Sequence, residues 1–119
     1  MLRVIDLDNV KIASVNQKYN VSRTTKQLFL NPEYRKFKEL LVQSCSDVTV
    51  EPPYRMRIEQ RCYTDIDNAI KVTLDALQEA GVIENDRHVL ELSVVKEHTK
   101  RNAPGAIRVW IGTMEEYYV

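Results

Sequence analysis

The strongest constraint on this chain is a change of hydrophobic period near residue 65. From Tyr54 to Cys62 apolar and charged residues alternate. Tyr54, Met56, Ile58 and Cys62 fall on one side, and Arg55, Arg57, Glu59 and Arg61 on the other. A period of two belongs to a half-buried β-strand. This strand runs straight into Asp65-Ile66-Asp67-Asn68, after which Ile66, Ile70, Leu74 and Leu77 recur at helical spacing and Gly81 is placed to end the helix. A strand that opens directly into a helix fixes where two carboxylates must sit.

The other elements can be read around this pair. Residues 2–7 and 10–15, rich in Val and Ile, are expected to form two short strands. Residues 16–31 are polar and long for a structureless connection, which marks them as mobile or functional. Asn31-Pro32 has the form of a helix start, with Asn as N-cap and Pro at the first helical position. Tyr34, Phe37, Leu40, Leu41 and Cys45 then follow on one helical face. Glu51-Pro52-Pro53 breaks the chain before the alternating strand. A turn at Glu84–Arg87 leads to a second alternating strand with Leu90, Leu92 and Val94 facing together. A basic loop from Lys96 to Gly105 precedes a last strand at Ala106–Ile111. The expected class is α+β, a mixed, curled β-sheet packed against two main helices in one domain spanning 1–119.

Charge distribution says more than charge total. The 119 residues carry no net charge, yet residues 65–91 hold seven acids and two bases, whereas residues 11–61 hold ten bases and five acids. An acidic centre beside a basic remainder suits a protein that gathers cations at one place and phosphates around it. From the totals alone, ordinary solvated charge is the favoured explanation. No apolar run approaches the roughly 20 residues a membrane span needs, and no membrane partner is expected. Met1–Ile5 does not open a signal peptide, so a cytoplasmic location is expected. Cys45 and Cys62 are expected to be reduced, mostly buried thiols rather than a disulfide or zinc framework.

The acids at the strand–helix junction have a structural explanation and a chemical one. Asp65 can cap the helix by accepting from its first amides, and Asp67 in the first turn suits the helix dipole. Lys71, four residues after Asp67, is expected to share its helix face. Carboxylates beside an ammonium are what phosphodiester cleavage uses. The acids hold a hard divalent cation, and the lysine offsets charge on the phosphate. Asp75 lies one turn further along and is read as structural. A helix over 66–80 is about 22 Å long, so Asp86 joins Asp67 only if the chain turns back or a partner subunit supplies it. The first is favoured, because five or six extended residues recover about 16–20 Å.

Asp65-Ile66-Asp67-Asn68-Ala69-Ile70-Lys71, followed by Asp75-Ala76-Leu77, Gly81 and Asn85-Asp86, resembles the RusA family of Holliday-junction resolvases. The likeness continues through Val89, Leu92 and Lys96 and, more weakly, into Pro104-Gly105 and the final strand. Upstream, Ser14–Tyr19 resembles the family's Asn-containing N-terminal segment, without its usual preceding proline. The resemblance implies a homodimer that cuts four-way DNA junctions symmetrically, in recombination and repair, using Mg²⁺ or Mn²⁺ and no small-molecule cofactor. It also implies that Asp65, Asp67 and Asp86 bind the metal and that Lys71 stands near the scissile phosphate. The family often has two adjacent acids where this chain has Asn85-Asp86, so Asp86 alone is carried over. Branched DNA is expected to meet Arg55, Arg57, Arg61, Lys18, Lys96, Lys100 and Arg101, with three of these arginines on one strand face. His88 is a weaker candidate proton shuttle, and His98 is expected to be solvated or against phosphate.

Three other readings compete. A junction-binding module without nuclease activity would retain the same fold and basic faces. Asp6-Leu7-Asp8-Asn9 after Val4-Ile5 resembles the first motif of haloacid-dehalogenase-type phosphatases, although its later motifs are missing and the residues also suit a strand end. An EF-hand over 65–76 fails because Ile70 and Ala76 stand where Gly and Glu are required.

Overall fold

The computed structural model describes residues 1–12, 19–21, 28–30 and 32–114, the two short middle segments by backbone alone. Expectations for Lys18, for the Asn16 segment and for Asn31 as an N-cap therefore lie outside the described residues.

Strand β1 covers Leu2–Val10, and β2 (Tyr19–Val21) pairs antiparallel with β3 (Leu28–Leu30). Helix α1 (Pro32–Ser44) follows, then β4 (Tyr54–Cys62), α2 (Ile70–Glu79), a 3₁₀ turn at Asp86–His88, β5 (Val89–His98) and β6 (Gly105–Thr113). Four strands form one sheet in the order β1-β6-β4-β5. β6 runs antiparallel to β1 and β4, while β5 runs parallel to β4. Parallel neighbours need a crossover, and α2 provides it. The expected mixed sheet with two helices is what the chain forms.

One face of the sheet is the core. Tyr54, Met56 and Ile58 of β4, Ile107, Val109 and Ile111 of β6, and Val4 and Ile5 of β1 are buried there with Tyr34, Phe37 and Leu41 of α1 and Val72, Ala76 and Leu77 of α2. Each fully buried side chain of this size contributes about 1.5–3 kcal/mol. The period-two reading of β4 has the right phase.

Three expectations change. Residues 2–10 form one strand that runs past the expected end at Leu7, because Asp6 and Asp8 do not turn the chain, while residues 13–15 of the expected second strand lie outside the described residues. They stand on the outer sheet face, where Arg108 of β6 reaches both, at 3.0 and 3.1 Å. That pairing removes the strand-end geometry the phosphatase motif requires. Second, the helix starts at Ile70, not Ile66. Residues 65–69 form turns, with the Asn68 amide donating to the Asp65 carbonyl and the Ile70 amide to that of Asp67. The buried stripe accordingly rotates to Ala69, Val72, Thr73, Ala76 and Leu77, leaving Ile66 46% exposed. Third, Leu90 and Leu92 are exposed. β5 is an edge strand, and its apolar side is only partly covered.

The end of α2 follows its sequence closely. Gly81 adopts φ +79°, the left-handed region glycine enters without strain. The Gly81 amide donates to the Gln78 carbonyl and the Val82 amide to that of Leu77, the paired bonds of a Schellman motif.

Candidate nuclease site

The crossover decides where each acid lies. Asp65 and Asp67 follow the C-terminal end of β4, and Asp86 precedes the N-terminal end of β5. In a parallel β–α–β unit these connections fall at opposite ends of the sheet, separated by the helix. Ten residues of α2 span about 15 Å.

The loop carrying Asp65 and Asp67 is fastened from beneath. Gln60 of β4 is 3% exposed, and its amide donates to the Ile66 carbonyl between the two acids. Both carboxylates are exposed, and neither is ion-paired or hydrogen-bonded through its side chain among the described residues. The expected capping role of Asp65 is not realised, because the N-cap of α2 is Ala69 and no side chain caps it. Tyr63 and His98 stack beside this loop, with ring centroids 5.6 Å apart.

Asp86 is held firmly. Its backbone amide donates to Gln78 Oε1 at 2.7 Å, while Asn85 accepts from the Arg87 amide at 3.0 Å and caps the short turn. Asn85, at a position where the family often has an acid, therefore has a local structural task. The Glu84 amide donates to the Tyr54 hydroxyl at 3.0 Å and the Val50 amide to the Val82 carbonyl at 2.9 Å, which ties the connection to the sheet.

Asp86 meets Lys71, and no contact joins it to Asp67 among the described residues. Lys71 Nζ lies 3.1 Å from Asp86 Oδ2 and 3.1 Å from Asp75 Oδ1. Asp67 was expected to share the helix face of Lys71, but Asp67 precedes the helix, and the ammonium reaches forward one turn instead. Asp75, read from sequence as structural, is thus in direct contact with the site lysine. The hydrogen bonds that Lys71 donates to Asp86 and then to Asp75 raise its pKa above the ordinary value.

These acids have the hard oxygen donors a divalent cation needs. As placed, they do not form a cage for one: among the described residues no three His, Cys, Asp or Glu side chains are arranged to hold a metal ion. The positive charge against Asp86 is the Lys71 ammonium.

The basic residues divide into two groups. Arg55 is 2% exposed, and its guanidinium donates to Glu91 (Nε to Oε2, 2.9 Å) and to the Met114 carbonyl. Its position corrects the expectation that it lies along DNA, since a buried, paired guanidinium offers phosphate nothing. Arg57 pairs with Glu59 at 3.0 Å and Arg61 with Glu97 at 3.5 Å, both on the outer sheet face. Lys100 and Arg101 are exposed in the loop before β6, and half-buried Lys96 is the register partner of Gln60, on the same sheet face. A cleft of about 720 Å³ runs past Tyr63, Thr64, Arg101 and Gly105, immediately beside Asp65 in the chain. His88 makes no side-chain contact with Asp86 among the described residues.

Sequence reading missed Gln60, Asp75 and Gln78. Gln60 could have been found as the polar residue in the buried phase of an apolar strand. Asp75 and Gln78 could have been found as i+4 and i+7 from Lys71, on one helix face.

No helix among the described residues is long and apolar enough to cross a membrane. Residues 54–111 match the family model described as endodeoxyribonuclease RusA, a span that contains Asp65, Asp67, Lys71, Asp75 and Asp86. No curated protein matches the chain.

Proposed function

We propose, on the match of residues 54–111 to the RusA endodeoxyribonuclease family model, that the chain is a member of that family and resolves four-way DNA junctions by paired phosphodiester hydrolysis, as a homodimer dependent on Mg²⁺ or Mn²⁺. The observation that carries this reading is the concentration of carboxylates around one lysine at both ends of α2. Asp65 and Asp67 are exposed and uncompensated at one end, while Asp75 and Asp86 share Lys71 toward the other.

Asp65, Asp67 and Asp86 are the proposed ligands, brought together by movement of the 63–69 turn or by a second subunit. Such a cation, when bound, supplies Lewis-acid stabilisation of charge on the phosphate. Gln60 holds the Asp65–Asp67 turn to the sheet, and Gln78 holds the turn that presents Asp86. Lys71 offsets negative charge on the phosphate. Arg101 lines the cleft beside the turn, Lys100 precedes it in the same loop and Lys96 is the register partner of Gln60; these three would hold the strand being cut, with Arg61 as a further candidate. A second copy of the chain provides the second cut. The edge strand β5, with Leu90 and Leu92 exposed, favours such a partner.

The second reading, a junction-binding module that does not cut, is favoured by the lack of three converging acids among the described residues. Incubation with a labelled four-way junction and a matched linear duplex, each with Mg²⁺, Mn²⁺ or EDTA, separates the two. Metal-dependent paired cuts in the junction alone are expected. Binding without a product in every condition would establish the second reading.

A further inference from the structure

Two residues before Asp65, Tyr63 presents an aromatic ring that the fold does not bury. It is 51% exposed, although an aromatic ring gains more from burial than most side chains. The ring packs against His98, with centroids 5.6 Å apart and planes tilted by 40°, inside the roughly 4.5–7 Å range of aromatic pairs. The sheet fixes this contact. Cys62 and His98 are register partners in β4 and β5, and the Thr99 amide continues the ladder by donating to the Cys62 carbonyl at 3.1 Å. His98 therefore orients Tyr63 without covering it.

Tyr63 also lines the cleft of about 720 Å³, a volume within the roughly 300–1,000 Å³ of small-ligand sites. Two cations line it as well. Lys11 pairs with Glu33 at 3.5 Å, whereas Arg101 is exposed and has no ion pair among the described residues. A tight turn displays Arg101. The Ala103 amide closes it by donating to the Lys100 carbonyl, with Asn102 in left-handed backbone at φ +68°. Asn9, at φ +53°, is the other non-glycine residue in that region among the described residues, and it too lines the cleft. Such conformations gather at ligand clamps.

We propose that this cleft is a nucleotide site, in which an unpaired base of the DNA strand stacks on Tyr63 while Arg101 holds its phosphate. The inference rests on the nuclease reading and deepens it, naming what the chain reads beside the cut. A ring face accepts any base, and a guanidinium grips phosphate through a planar fork of donors. In paired duplex the base faces are hidden in the stack, so the site favours DNA whose bases can leave it, as at a branch point. Because Tyr63 is two residues from Asp65, a base seated there places the adjoining backbone beside the turn that carries the acids.

The test is equilibrium binding of the whole protein, followed by fluorescence anisotropy in EDTA, which holds back metal-dependent cutting. The probes are two labelled four-way junctions with one unpaired nucleotide at the branch, a thymidine in the first and an abasic residue in the second. Wild type should bind the thymidine junction more tightly. Tyr63→Ala should weaken that binding about 5- to 100-fold, the range of base–aromatic stacking, and change binding of the abasic junction by less than about twofold. Tyr63→Leu, which keeps apolar bulk without a ring face, should behave as Tyr63→Ala does. Tyr63→Phe, which keeps the ring, should bind as wild type. Arg101→Ala should weaken both junctions alike, because phosphate is common to the two.

If Tyr63→Ala weakened both junctions alike, or neither, the proposal would be overturned and the nuclease reading left intact. Wild-type affinity of Tyr63→Leu for the thymidine junction would overturn it in the same way. If wild type bound neither junction, the nuclease reading itself would fail, and this inference with it.

Discussion

The outer face of the sheet and the surroundings of α2 are both crowded with charge, but they handle it in opposite ways. On the sheet, Arg108 meets Asp6 and Asp8, Arg57 meets Glu59, Arg61 meets Glu97, and Arg55 is sealed against Glu91. Cations and anions alternate there across neighbouring strands, and the field largely cancels. Around α2, one lysine serves two carboxylates while Asp65 and Asp67 have no partner among the described residues. Exposed pairs of the first kind contribute about 0–1 kcal/mol each. Unbalanced carboxylates of the second kind repel one another and gain nothing for the fold, which is the usual mark of a site kept for a ligand. Matched charge of the first kind is structural, and the charge left over is what the proposed site would use.

The sharpest way to break this contrast is to remove one charge from each region and compare junction cutting. Asp86→Asn should slow cleavage by about 100-fold or more, as loss of a metal-site group does, while junction binding is kept. Arg57→Ala should change the rate less than about threefold. Comparable losses from both would abolish the distinction. The next effect belongs to stability. Glu91→Ala removes the carboxylate that the 2%-exposed Arg55 guanidinium donates to, leaving its bond to the Met114 carbonyl, and should lower unfolding stability by about 2 kcal/mol in urea melts. Glu97→Ala, whose partner Arg61 is exposed, should cost under about 0.5 kcal/mol. If the two cost the same, burial would not be what separates the arginines. The smallest effect sharpens the location of DNA. Lys100→Ala and Arg101→Ala should each flatten the salt dependence of junction binding by about one unit of log–log slope for each phosphate the side chain neutralises. Arg55→Ala, provided it folds, should leave that slope unchanged.

Much of this was legible in the chain. The alternation at 54–62 correctly placed β4 and its buried phase, and Gly81 marked the end of α2, because both depend on local backbone geometry. Pairing across strands was not. Arg55 and Arg61 look like part of a phosphate-tracking row until Glu91 and Glu97 arrive from a strand more than 30 residues later. Nor did periodicity fix where the helix begins. Ile66 fits the stripe, but the hydrogen bond from Gln60 captures its carbonyl and holds residues 65–69 as turns. That one-turn delay removes Asp67 from the helix and directs Lys71 forward to Asp75. Asp6 and Asp8 were misleading for a similar reason, since their partner Arg108 lies at the far end of the chain.

The central claim is that uncompensated carboxylates beside α2 cut DNA. It is tested most directly on a supercoiled plasmid carrying an extruded cruciform, treated with wild type or Asp67→Asn in Mg²⁺ under single-turnover conditions. The account predicts linear product from wild type, the signature of paired cuts in one binding event, and uncut plasmid with undiminished junction binding from Asp67→Asn. Equal cutting by the two proteins would show that the chemistry lies elsewhere in the chain and would contradict the account.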